Sequence, residues 1–462
     1  MRLYKNYIIK KNKKMLAKFY FFSIIRNRKD DKRVNILFMK KLLFLICLFS
    51  LSFYSCAIRN SLAPKREDLD AERTFIAQRI NNGASAGYFD IPTKLVKTTD
   101  HLAIYLQTTY SQGMSAYGLN KMAQEFEYYY DDMTNIYGEH SDIDGNGKII
   151  IVLVDINVKK SGSQTLGYFN PSDMYGGNKG EVLYMDLSNA NHSIDKSIGT
   201  LIHEFQHLIN YSYVVSGKRK ELSSWLNESL SESTSILFNK TTAESRMREF
   251  TNINYYCFYT WDIPINVSNY NGSNRFSNGL VNYPSSSVFM HWLYNKNGNK
   301  SDIFKKIAES KQNADYMKVL KAAQEISDLS GISDWGDLLL TWMSNISADG
   351  ICPNWNSNFK VTNNLAQGAT TLYPGAMIVC DSYASPSTGI NNFITRTNSN
   401  GKIIHLNKDT TLKDYASVNT SGVNSAVSEE SQARQSFIET EKEEKNQIIN
   451  ILLDRNGNIK KY

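Results

Sequence analysis

Residues 199–210 read Gly-Thr-Leu-Ile-His-Glu-Phe-Gln-His-Leu-Ile-Asn. The run holds His203-Glu204-x-x-His207. On an α-helix, residues four apart share a face, so both imidazoles can reach one ion. For zinc that means ring nitrogens at about 2.0–2.1 Å. Glu204 is one residue further round the helix. It is placed to accept a proton from a water activated by the metal rather than to act as a ligand on the same face. The flanks Leu201, Ile202, Phe205, Leu208 and Ile209 are apolar, so the helix is expected to be buried. A buried helix carrying two His and a Glu must satisfy those groups, and a shared cation does so.

A catalytic zinc usually has three protein ligands and one open position. Downstream, Ser224-Trp-Leu-Asn-Glu-Ser-Leu-Ser-Glu232 supplies a carboxylate at Glu228, twenty residues intervening after His207. That leaves room for a loop, marked by Lys218-Arg-Lys220, and a returning helix. Glu232 lies four residues on, on the same face, where it can accept a hydrogen bond from the outer nitrogen of a ligating histidine and fix its ring. Trp225, Leu226 and Leu230 argue against a merely solvated acidic face.

Ile202-His-Glu-Phe-Gln-His-Leu-Ile209 together with Trp225-Leu-Asn-Glu-Ser-Leu-Ser-Glu232 resembles the hyicolysin-type zinc metallopeptidases, and more broadly the gluzincins, whose third ligand is a glutamate. Thermolysin's relatives have Asp where Glu232 stands. Asp142-Ile-Asp-Gly-Asn-Gly-Lys148, Gly167-Tyr-Phe-Asn-Pro171, and Tyr283 ahead of Val288-Phe-Met290 also look like family features, so the resemblance covers roughly residues 85–350. Pro284 stands where such relatives tend to have Gly. The resemblance implies an α+β zincin (thermolysin-like) domain: a small mixed sheet over the His-Glu-x-x-His helix, then a helical subdomain. It implies one zinc ion on His203, His207 and Glu228, Glu204 as general base, and a peptide or protein substrate. The oxyanion of the transition state needs a second donor. Tyr283, in an Asn-Tyr-Pro turn ahead of a helix, is the first candidate and His291 the reserve.

Two other readings stay open. A zinc aminopeptidase would need acidic groups for the substrate's free amine, and no Gly-x-Met-Glu-Asn-like element is found. A non-enzymatic surface lipoprotein could keep the scaffold, although every expected ligand and the base are present. Asp142-x-Asp144-x-Asn146-Gly147 resembles the start of an EF-hand calcium loop, yet position twelve is Leu153 rather than Glu, so a tight turn before a strand is the favoured reading and Ca2+ the lesser one. There is no Gly-rich phosphate loop, no Gly-x-Ser-x-Gly and no Cys-x-x-Cys.

The formal charge of +7 in 462 residues invites a nucleic-acid partner until it is located. Residues 1–55 hold 14 Lys and Arg against Asp30 and Asp31 alone, a surplus of 12. The remainder has 38 basic and 43 acidic residues, with no basic stripe, so nucleic acid is not an expected partner. Met39-Lys40-Lys41, the apolar run Leu42–Tyr54 and Ser55-Cys56 form the pattern of a secretory signal. Thirteen helical residues span about 20 Å, short of a bilayer core of about 30 Å. Ser55-Cys56 resembles a bacterial lipobox, with Phe53 where Leu or Val is usual. Lipidation at Cys56 and an envelope or surface location follow, with plain secretion as the alternative and Met39 as a candidate start. Oligomeric state is not readable.

Along the exported body, residues 57–85 read as a polar linker and a helix, Arg66 to Arg79, serving as tether or removable pro-segment. Residues 86–350 form the metallopeptidase domain. Strands are expected at 101–106, 148–154 and 182–186. Helices are expected at 119–137, 194–215, 224–238, 241–251, 285–296, 301–311, 314–327 and 333–346. Residues 360–462 read as a small β-rich module with a polar, acidic extension.

Overall fold

The computed structural model describes residues 69–81, 84–159, 164–252, 278–350, 377–380, 393–407 and 452–453, with the single positions 258 and 261. The leader, Cys56 and the acidic extension at 408–451 lie outside the described residues. Within the described body the apolar run Ile149–Val154 is buried at every position. Such a run has no polar side to give to water, so it belongs in the middle of a sheet. It is the fourth strand, β4, of six. The others are β1 (Glu72–Asn81), β2 (Ala84–Thr98), β3 (Leu102–Gln107), β6 (Gly167–Phe169) and β7 (Val182–Asp186), ordered β1-β2-β3-β4-β7-β6. A short β5 (Gln164–Thr165) lies outside this sheet and pairs with Leu452–Leu453.

The sheet is mixed. β3, β4 and β7 run parallel, while β1, β2 and β6 are antiparallel to their neighbours. Side chains alternate across it. Ile149, Ile151 and Leu153 face the helices, and Ile150, Val152 and Val154 join Phe75, Tyr105, Tyr168 and Tyr184 on the other side. Each large aliphatic side chain so buried contributes about 1.5–3 kcal/mol.

Helix α1 (Ala116–Tyr137) packs on this sheet; its N-cap Ser115 accepts from Gly118 N–H, and Met122, Phe126 and Met133 turn inward. α2 (Leu187–His192) leads into α3 (Ile194–Val215), α4 (Ser224–Phe238), α5 (Lys240–Asn252), α6 (Asn278–Lys296), α7 (Asp302–Ala308), α8 (Asp315–Gln324) and α9 (Trp335–Asp349). Phe126 of α1 stacks on Phe205 of α3 at 5.0 Å, tying the central helix to the sheet layer. A second aromatic group, Trp225, Phe258, Phe289, Trp335 and Trp342, glues the later helices together. The architecture is mixed α and β with a helical second half. No helix among the described residues is long and apolar enough to cross a membrane.

β8 (Met377–Cys380), β9 (Phe393–Thr397) and β10 (Ile403–Asn407) form a three-stranded antiparallel sheet against α9. Arg396 reaches from β9 to Thr341 and Asp337 of α9.

Two expectations are corrected. The helix expected over Arg66–Arg79 is not found in its described part: Glu72–Asn81 is strand β1, paired along its length with β2. Phe75, Ile76 and Ile80 suit helical spacing, but Phe75 and Ala77 also alternate, and long-range pairing decides between the two patterns. The sheet therefore begins before residue 86. Tyr283 does not sit in a turn ahead of a helix. α6 starts at Asn278 and runs through Pro284, losing only the one backbone hydrogen bond that proline cannot donate.

Candidate metal centre

α3 carries the site and is its most deeply embedded element: every residue from Thr200 to Ser212 is buried. The two histidines project one turn apart, as i, i+4 spacing requires. Their Nε2 atoms lie 3.1 Å from each other. α4 runs back against α3 and brings Glu228 to them, with Oε2 at 3.4 Å from His203 Nε2 and 3.5 Å from His207 Nε2. Three potential ligand atoms, one from each residue, thus lie within 4.8 Å of one another.

Their environment is dry. His203, His207 and Glu228 are 4%, 1% and 5% exposed. Burial favours a neutral His203. Burial also works against ionised Glu228, but the neighbouring imidazoles outweigh it and hold its carboxyl at about 2. Two imidazoles and one carboxylate anion form the donor set that a divalent cation of zinc's type accepts. Glu228 Oε2 and Glu204 Oε1 are both buried and make no hydrogen bond. Leaving such atoms unsatisfied costs about 1–3 kcal/mol each or more when charged, which a cation among them would offset. The residues therefore fit a zinc ion.

Glu204 is fully buried beside this cluster. Its Oε2 accepts a hydrogen bond of 3.0 Å from the backbone N–H of Phe169 on edge strand β6. Burial, with the charge of Glu228, pushes its carboxyl well above the ordinary carboxylate range, the Phe169 N–H opposing. β6 can come this close because residue 167 is glycine. A Cβ there would stand 2.8 Å from Met185 Sδ, 2.9 Å from the Tyr184 carbonyl and 3.1 Å from Thr200 Cγ2 on α3.

The outer ring nitrogens are held by different partners. His207 Nδ1 lies 3.0 Å from Ser231 Oγ, which itself donates to Gln206 Oε1. His203 Nδ1 faces Glu232 Oε1 at 3.6 Å, an electrostatic contact longer than a hydrogen bond. Glu232 is claimed instead by Arg246 of α5, whose Nε and Nη2 donate to its two oxygens at 2.9 Å each. Arg246 also lies over the Tyr283 ring, 4.9 Å from its centre.

Tyr283 is brought to the cluster. Its ring is 6.2 Å from that of His203 and packs edge-on against Trp261. Burial, then the charges of Glu228, Glu204 and Glu232, push its phenol well above the ordinary value, with Arg246 pulling it down. His291 lies two turns further along α6, about 12 Å by helical rise. Its ring meets Tyr294, and burial lowers it to about 3. His291 thus stands apart from Tyr283 along the same helix.

Asp142, Asp144 and Glu181 also approach within 4.8 Å. Here the oxygens already accept internal donors. Glu181 takes Ser141 Oγ–H and Ile143 N–H, Asp144 takes Asn146 N–H and Nδ2–H, and Asp142 takes Gly147 N–H. Asn146 Oδ1 accepts from Lys148 N–H, turning the chain into β4.

The sequence reading missed Ser231, the Phe169 N–H and Arg246. A backbone donor has no residue signature. Arg246 had a weak one: it shares α5 with buried Ala243, Met247 and Phe250, an unusual place for a cation.

No protein-family profile matches the chain. It is similar to the protein named Neutral metalloprotease ShpI of Staphylococcus hyicus, 29% identical over 194 residues. The aligned stretch spans 38% of this chain and 42% of that relative's length. This similarity supports a metallopeptidase-type hydrolase.

Proposed function

We propose that this chain is an exported, lipid-anchored zinc endopeptidase with a thermolysin-like zincin domain. The observation that carries the reading is the convergence of His203, His207 and Glu228 in a buried site beside the unbonded Oε1 of Glu204. The neutral metalloprotease relative supports the same class. When bound, the zinc ion supplies Lewis acidity for a peptide carbonyl and a water.

The chain's own residues do the rest. His203, His207 and Glu228 hold the ion. Glu204 is fixed through Oε2 by the Phe169 N–H, which aims Oε1 to take the water's proton. The same carboxyl then carries that proton toward the leaving amine. Tyr283 offers a phenolic O–H to the oxygen on which charge develops. Apolar side chains beside His207, Phe169, Tyr211 and Leu222 among them, strengthen these interactions by excluding water.

Glu204→Gln is the direct test. It should reduce hydrolysis of an N-terminally blocked peptide at least about 100-fold while zinc stays bound. Full activity in that variant would refute the mechanism. Cleavage only of peptides with a free amine would favour the aminopeptidase reading, and a zinc content far below one per chain would favour a scaffold. Export and anchoring are tested apart from catalysis, by labelling with a radioactive fatty acid. The label should be lost in Cys56→Ala.

A further inference from the structure

Arg246 holds two side chains of the cluster at once, Glu232 and Tyr283. The edge of its guanidinium takes both oxygens of Glu232 at 2.9 Å. Its face covers the ring of Tyr283 at 4.9 Å. Glu232 in turn stands against the outer nitrogen of His203. All these groups are buried: Arg246 is 2% exposed, Glu232 1% and Tyr283 3%.

Three carboxylates, those of Glu204, Glu228 and Glu232, crowd this space. An unpaired carboxylate in such a place is strongly unfavourable, and removing one member of a buried pair leaves the other charge uncompensated. Without the guanidinium, Glu232 would relieve repulsion by turning from the cluster, and His203 would lose the group that orients its ring. The planar fork matters as much as the charge. A lysine offers a point charge that can meet one oxygen, but it cannot grip two and stack on an aromatic face at once.

Resting on the zinc-peptidase reading, we infer that Arg246 is a positioning residue that couples the two halves of the site. Through Glu232 it sets His203 for the metal, and through its stacked face it sets the Tyr283 phenol for the oxyanion. It acts through those two side chains rather than on the reacting atoms. Groups that orient metal ligands typically govern about 10–100-fold in metal affinity or activity.

The test uses the full chain with Arg246→Lys and Arg246→Met, each alone and with Tyr283→Phe. Zinc affinity is read by competition with a chelating dye, fold by circular dichroism, and kcat and KM separately on a blocked peptide. For Arg246→Lys the expected result is a native spectrum, zinc binding weaker by about tenfold, and kcat lower by about tenfold at unchanged KM. In the Tyr283→Phe background the same change should lower kcat by less than about threefold, because the phenol it positions is gone. Zinc affinity equal to wild type, or losses in kcat that simply multiply, would overturn the inference. Should Arg246→Met fail to fold, the lysine variant decides alone. If the wild type binds zinc but cleaves nothing, the peptidase reading fails, and the zinc arm still judges Arg246.

Discussion

Among the described residues, two groups of three side chains bring ligand atoms within 4.8 Å, yet they are chemically unlike. In the His203–His207–Glu228 group the donors face one another across buried space, and one carboxylate oxygen makes no hydrogen bond. In the Asp142–Asp144–Glu181 group, N–H and O–H donors of the same loop already occupy the oxygens. Proximity alone therefore does not define a metal site. What separates the two is whether the protein has spent the donors on itself. The first group leaves buried acceptors that a cation would satisfy, while the second is a turn bonded within itself that leads into β4.

Substitution of ligands should break the comparison most sharply. Glu228→Gln is expected to lose zinc and to lower peptide hydrolysis more than about 1000-fold, whereas Asp144→Asn should keep both within about threefold. Metal content by atomic absorption and a peptide assay check this. Equal losses in both variants would mean that the loop, too, serves the chemistry. Metal removal comes next. Chelation should lower the melting temperature, since an ion held a thousandfold above its Kd contributes about 4 kcal/mol. Zinc should restore the temperature and millimolar calcium should leave it unmoved, as differential scanning calorimetry would show. A rise with calcium would instead make the Asp142 loop a genuine cation site.

A smaller effect is expected at the outer nitrogen of His207. Ser231→Ala removes its partner and should weaken zinc binding about tenfold without altering the fold. Unchanged affinity would show that α3 alone orients that ring.

The last comparison lies away from the cluster, at Asp173, buried under Tyr184 and Asn178, which donate to its oxygens at 2.7 Å. Burial raises its carboxyl from 3.8 to about 7. Because the folded value is above the unfolded one, its contribution is full below about pH 4 and falls away as pH rises to about 7. The slope is at most about 1.4 kcal/mol per pH unit. Asp173→Asn should therefore gain stability relative to wild type between pH 5 and pH 8 in urea unfolding. An identical difference at both pH values would count against a protonated Asp173.

The candidate metal-binding histidines were legible because their chemistry is written at short, fixed spacing on a helix whose apolar flanks are unmistakable. Glu228 was reachable by asking what a two-histidine site still lacks. Arg246 and Ser231 were not, because their roles exist only once α3, α4 and α5 are packed. β1 was misread for a related reason. Ten residues with Phe75, Ile76, Ala77 and Ile80 satisfy a helix or a strand, and only the partner β2 chooses. Pro284 misled in the same direction, as a punctuation mark that the surrounding helix absorbed.

That placement of β1 bears on maturation. A segment trimmed away to switch a hydrolase on must leave a finished body behind. Here Phe75, Ala77 and Ile80 are part of the apolar interior, and Asn178 grips the backbone of Ile76 through both N–H and C=O. Cleavage near residue 83 followed by loss of the preceding stretch would strip β2 of its neighbour and open a raw, sticky sheet edge. Any proteolytic trimming compatible with a working protein must therefore fall upstream of Glu72.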